Sequence, residues 1–169
     1  HDLLILYFAV GRYEEAIKHG TNGIQLEKAI YEKFDDATHS LRLAERMTSL
    51  ATSYALHKDV VKAMEHLEDA IFVLEEHEKD DPFRFGLTLG RSYLTLAANY
   101  EKQPEEADKA EETFLKGYAK LEEVDELEEG KISEDMVTAN LVLGEFYKRK
   151  EKPQSKIYLK EALRLAEKY

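Results

Sequence analysis

Six histidines, several paired carboxylates and one glycine-spaced segment are the parts of this sequence whose types could do chemistry. Metal binding by imidazoles needs ligands gathered on one helix face, as in two His four residues apart with an intervening Glu. His1, His19, His39, His57, His66 and His77 never approach that spacing. His57 and His66 flank a turn and read as surface or capping residues. Gly86 and Gly90 in FGLTLG lack the strand-then-helix setting of a dinucleotide loop, so close helix packing is their expected role. No phosphate loop of the GxxxxGK[ST] kind and no GxSxG nucleophile turn is present. The pairs Glu75-Glu76 and Glu105-Glu106 diverge by about 100° on a helix and would not converge on one substrate. With no cysteine there is neither a thiolate ligand nor a disulfide. The expectation is a protein without enzymatic activity, cofactor or metal.

The elements come from apolar periodicity. Hydrophobic residues make up 43% of 169 residues and recur at three- and four-residue spacing, with 3 Pro and 8 Gly, so long helices are expected throughout. The clearest stretch runs from Leu50 to Glu76. Leu50, Ala51 and Tyr54 mark one face of a first helix, His57-Lys58-Asp59 a turn, and Ala63, Leu67 and Ala70 one face of a second. Such a hairpin cannot bury its faces alone and needs neighbours of the same shape. Those neighbours follow in register. Leu96, Ala97 and Tyr100 answer Ala110, Phe114 and Gly117; Leu143, Gly144 and Tyr147 answer Ser155, Leu159 and Ala162; Tyr7 precedes Ala16, Gly20 and Gly23. The small-residue position falls at Leu4, the poorest match, then Ala51, Ala97 and Gly144, in steps of 47, 46 and 47 residues, each with a tyrosine three positions on. One domain of four units is expected, at about 1–35, 36–81, 82–131 and 132–169. It forms an all-α, right-handed superhelical solenoid of four antiparallel helix pairs. Asp35-Asp36 should break one helix, Asp81-Pro82 and Pro153 open others, and Ser133 serve as an N-cap. The helix starting near Ala110 should run toward Glu129, with an acidic, solvated tail.

This pattern resembles the tetratricopeptide repeat, which places Leu, a small residue and Tyr on its first helix and Ala, an aromatic or Leu, and Ala on its second. Leu50, Ala51, Tyr54, Ala63, Leu67 and Ala70 match without a gap, and the likeness spans the whole chain. These units exceed the usual period of about 34 residues. The order GRYEEA, GRSYL, LVLGEFY resembles the amino-terminal repeats of Tonsoku-like proteins. That likeness implies a nuclear scaffold in replication-coupled chromatin maintenance and DNA repair, holding a basic histone H3 tail. Polarity adaptors and kinesin light chain are competing likenesses, implying a cytoplasmic adaptor of the polarity or motor-cargo type. Some tetratricopeptide domains clamp a chaperone's C-terminal carboxylates with Lys, Asn and Arg. At the matching positions here only Arg91 is basic, so no chaperone-tail clamp is expected.

Helical geometry alone names the free face. Residues about half a turn from Leu50, Ala51 and Tyr54 point away from the partner helix and would line a concave groove. They are Glu45, Thr48, Ser49, Thr52 and Leu56, then Arg91, Leu94, Thr95, Ala98 and Lys102, then Thr138, Leu141, Val142, Glu145 and Arg149. Hydroxyls and charges of both signs suit an extended peptide held by side-chain hydrogen bonds. Glu45, Thr48, Thr52, Arg91, Thr95, Thr138, Glu145 and Arg149 are therefore the candidate peptide-binding residues.

The net charge of −11 disfavours direct nucleic-acid binding and favours a basic partner. Leu3 to Val10 is too short to cross a bilayer, which takes about 20 residues, and lacks the basic start of a leader. No membrane association is expected, and the chain reads as an intracellular fragment of a longer protein. A rigid structural spacer in a larger assembly remains the other class of expectation.

Overall fold

The computed structural model describes residues 2–34, 36–128 and 130–168; His1, Asp35, Glu129, Tyr169 and the side chains of Asp2, Leu4, Ile5 and Phe8 lie outside the described residues. Among the described residues the chain is all helix, with no strand. The helices are α1 Asp2–Ala9, α2 Tyr13–Phe34, α3 Ala37–Leu56, α4 Val60–His77, α5 Pro82–Tyr100, α6 Ala107–Leu127, α7 Ser133–Arg149 and α8 Gln154–Lys168. None is long and apolar enough to cross a membrane. Each helix packs on the next in the chain, and the odd-numbered helices also touch one another as α1·α3, α3·α5 and α5·α7.

Local chemistry sets the boundaries. Asp36 caps α3, its carboxylate accepting the amide hydrogens of Thr38 and His39 at 2.9 and 3.0 Å. Asp59 does the same for Lys62 at the start of α4 and Asp81 for Arg84 at the start of α5, where Pro82 occupies the first turn. Each such cap stabilises a helix start by about 1 kcal/mol. Ser133 departs from expectation. It is the first residue of α7, Ile132 precedes it, and its hydroxyl donates back to the Gly130 carbonyl at 2.6 Å. The turn at Gly130, with φ 80°, brings that carbonyl under the hydroxyl. Pro153 lies one residue ahead of α8, and α6 stops at Leu127.

Three of the odd-numbered helices end the same way. The carbonyls of Tyr7, Tyr54 and Tyr147 accept the amide hydrogens of Arg12, Asp59 and Lys152, five residues on, at 2.8, 2.9 and 2.9 Å. One residue before each donor the chain turns left-handed, at Gly11 (φ 74°), Lys58 (φ 66°) and Glu151 (φ 54°). This is the Schellman closure, which satisfies the last carbonyls of a helix. The same tyrosines carry a cation over the ring: Arg12 at 4.8 Å, Lys62 at 5.3 Å and Lys152 at 5.6 Å. Each also stacks on a ring from the following helix, His19, His66 or Tyr158. His66 is thus half-buried against Tyr54, not a surface or capping residue, and burial lowers its pKa, so it stays neutral at pH 7. His57 is exposed at the end of α3. Unit three departs from this arrangement. Pro104 stands where the left-handed residue would be and has φ near −65°, so the turn lengthens. Tyr100 keeps its cation, Lys109 at 5.5 Å, but donates its hydroxyl to Glu68.

The framework residues form the core. Leu50, Ala51, Ala63, Leu67, Ala70, Ala97, Ala110, Phe114, Ala139 and Leu143 are fully buried. A buried leucine of this kind contributes about 2 kcal/mol. The closest backbone approach at a glycine is between α5 and α6. A Cβ on Gly90 would lie 2.7 Å from Leu121 Cγ and 3.2 Å from the Gly117 carbonyl oxygen; one on Gly117 would lie 3.0 Å from the Gly90 oxygen. Gly86 meets Val124 in the same way, so residue numbers rise on one helix as they fall on the other, and the two run antiparallel. Gly23 is different. Only the Arg46 guanidinium approaches it, at 3.1 Å. Between α2 and α3 a buried carboxylate, Glu27, instead takes Nδ1 of His39 and Nε of Arg46, both at 3.1 Å.

Gly90→Ala is expected to destabilise. Overpacking of about 1–3 kcal/mol opposes a helix-propensity gain of up to about 1 kcal/mol. Gly23→Ala, facing only a movable side-chain tip, should be neutral or stabilising by about 0.5 kcal/mol. The urea midpoint of Gly90→Ala should fall while that of Gly23→Ala stays or rises, and a fall in both would contradict this account.

Lys58→Gly relieves the left-handed backbone and should raise stability by about 1 kcal/mol, read as a higher urea midpoint with an unchanged slope.

Candidate functional site

The contiguous row of odd-numbered helices carries the residues expected to bind a partner. On α3, Glu45 is exposed and Ser49 and Thr52 are half-buried. Thr48 is also half-buried, and its oxygen lies 3.1 Å from that of Ser92 on α5, so it joins two helices as well as facing outward. On α7, Thr138 is exposed and Glu145 half-buried, with the Lys148 ammonium 3.4 Å from the Glu145 carboxylate.

Both candidate arginines are engaged across units. Arg91 on α5 gives two hydrogen bonds to Asp135 on α7, at 2.6 and 2.8 Å. That bond is the main reason its pKa rises further above its ordinary value, with added attraction from Asp135 and Glu45. Arg149 on α7 reaches back to Glu101 at the end of α5, at 2.8 and 2.7 Å, with the same consequence. Bidentate pairs of this kind orient both partners. The two bridges have opposite polarity and stand ten residues apart along α5.

Between them lies a cavity of 270 Å³. Its rim is Arg91, Thr95, Asp135 and Thr138; its floor is Leu94, Ala98, Leu121 and Val142. The structure thus brings Arg91, Thr95 and Thr138 together and leaves Glu45, Thr48, Thr52, Glu145 and Arg149 outside this cavity. Leu94 corrects the sequence expectation. It was placed facing outward, but it is buried, because the missing side chain at Gly117 opens a slot that Leu94 Cδ2 enters. Two lining residues were not anticipated. Asp135 could have been found by seeking an opposite charge near one repeat's distance from Arg91. Leu121, a core residue of α6, carries no such signal.

The hydroxyls of this face share one orientation. Ser49, Thr52, Thr95 and Thr138 each donate to the carbonyl four residues earlier, at 2.9, 3.0, 2.8 and 2.8 Å. A hydroxyl has one hydrogen and two lone pairs, so these side chains offer a partner acceptors, not donors.

A second cleft, of 430 Å³, opens among α4, α5 and α6. Tyr93 donates to Glu75 there and Tyr100 to Glu68, and Phe72 is largely exposed. Burial, then the hydrogen bond to a carboxylate and its charge, raises both phenols well above the usual range. Tyr118 and Tyr147 are pushed up to about 12, again chiefly by burial. Among the described residues, no group of three or more acidic or histidine side chains converges as a metal site.

Compared with protein-family models, curated proteins and solved structures, the chain matches none.

Because the folded-state phenol pKa values are raised, their contribution is fully present below the unfolded value near 10 and is lost as pH rises toward 12. Alkaline titration followed at 295 nm should show tyrosines ionising later in the native protein than in urea. Stability should fall steadily above about pH 10. Coincident native and denatured titration curves would refute this.

Proposed function

We propose that this chain is a tetratricopeptide-type interaction scaffold. In this reading the helices pair antiparallel and stack as a right-handed superhelical solenoid in four units, and the odd-numbered helices line its concave groove. The groove holds an extended peptide. The single observation that carries the reading is the outward chemistry of that row: hydroxyl oxygens whose hydrogens are already donated, with arginine charges neutralised by Asp135 and Glu101. Such a surface complements a segment rich in donors, namely backbone N–H groups and the side chains of Lys, Arg and Ser. It offers little to a phosphorylated or acidic tail.

The net charge of −11 works in the same direction at longer range. A basic histone H3 tail, the partner implied by the likeness to Tonsoku-like repeats, has this chemistry, and binding it would place the protein at chromatin. Glu45 and Glu145 are the carboxylates on the open face best placed to meet its lysines and arginines.

Glu45→Lys and Glu145→Lys should each weaken binding of a histone H3-tail peptide severalfold at low salt, about 1 kcal/mol, with less effect as salt rises. Circular dichroism should show helicity unchanged. No binding of that peptide at low salt would remove the histone reading. Affinity unaltered by both reversals would remove the groove assignment.

A further inference from the structure

The geometry points to the α5–α7 cavity as an anchor pocket for one aliphatic side chain of the bound segment, with a lysine or arginine about four residues away on the side toward α3. This rests on the groove reading above and gives it a sequence preference.

Leu94, Ala98, Leu121 and Val142 present carbon to the cavity and no polar group. They lie between two ion pairs, Arg91–Asp135 and Arg149–Glu101, which close the seam on either side. A polar side chain entering there would lose water and gain no partner from the floor, while an aliphatic one would lose only unfavourable hydration. Thr95 and Thr138 stand at the rim with free lone pairs, where they can accept N–H groups of the segment flanking the anchor.

The neighbouring charge sets the second element. Glu45 on α3 is exposed, and its negative charge is felt at Arg91, whose own charge is taken by Asp135. Packed helices lie about 8–10 Å apart, so α3 is roughly 12–15 Å from a pocket midway between α5 and α7. An extended chain covers about 3.3 Å per residue, which places the basic residue about four positions from the anchor. Charge complementarity to Glu45 makes that residue basic, not acidic.

The test uses capped synthetic peptides of Gly, Ser and Lys with Leu, Ala or Asp at one central position. Binding to the whole chain is measured at low salt. The Leu peptide should bind about tenfold tighter than the Ala peptide, and the Asp peptide weakest. Ala98→Leu fills the pocket from its floor, and Thr138→Leu covers it from the exposed rim. Either should abolish the Leu preference while the protein keeps its urea midpoint; the rim variant serves if the floor variant does not fold. Thr95→Val removes an acceptor and leaves the pocket, so it should weaken all three peptides alike and retain the preference. Equal binding of the Leu and Ala peptides, or a preference unmoved by both filling variants, overturns the anchor and leaves the groove reading standing. Failure of every peptide to bind overturns both.

Discussion

The approach of α5 to α6 at Gly90 and Gly117 is the constraint on which most of this structure depends. A β-carbon on Gly90 or Gly117 would stand only 3.0–3.2 Å from the carbonyl oxygen of the other, and one on Gly90 2.7 Å from Leu121, so the pair closes this tightly because two side chains are absent. Phe85, Leu89, Phe114 and Leu121 of the two helices are buried. The close approach also shapes the surface. Leu94 drops into the slot over Gly117, and the depression left above it becomes the cavity between α5 and α7. A packing requirement deep in the core thus makes a concave feature on the outward face of α5 and α7.

The tyrosine of each first helix is a second recurring device. In three of the four its backbone carbonyl closes the helix end, its ring takes a cation from the turn or the start of the next helix, and it stacks on a ring from that helix. Tying a turn and two helices together at one residue explains why tyrosine recurs there in place of a plain aliphatic residue. Unit three keeps the tyrosine but has Pro104 in the turn. Its phenol bonds back to Glu68 of the preceding unit, so the same residue type changes from closing its own unit to joining two.

Charge is arranged by unit boundary. Arg91–Asp135, Arg149–Glu101, Lys120–Glu78 and Lys152–Glu111 all join residues more than forty positions apart. Exposed pairs contribute little to stability, but the first two neutralise the arginines of the odd-numbered row, which leaves hydroxyl oxygens and Glu45 prominent on that face. The first and last helices, α1 and α8, are packed less completely. Leu6 on α1 and Leu163 on α8 stay exposed, while Ser53, Asn99 and Phe146, one residue before the other tyrosines as Leu6 is before Tyr7, are buried.

Residue order alone determined the helical class, the turns and nearly all of the framework, because a helix's buried stripe follows from a 3.6-residue period within one segment. Leu50, Ala51, Leu67, Phe114 and Leu143 were legible for that reason, as were the break at Asp35-Asp36, the turn at His57-Lys58-Asp59 and the helix entry at Asp81-Pro82. The capping role of the Asp36 and Asp59 carboxylates was not anticipated, and the one N-cap expected, Ser133, lies inside α7. The face carrying Glu45, Thr95 and Thr138 was legible as the opposite stripe. What only the tertiary structure decided is everything that joins one unit to another: the burial of Leu94, the Arg91–Asp135 bridge, the Thr48–Ser92 contact, and the cavity floored by Leu121. The physical reason is that these depend on how deeply and at what angle one helix pair sits on the next. That geometry is set by side-chain volumes on both surfaces at once, and no periodicity within a single segment encodes it.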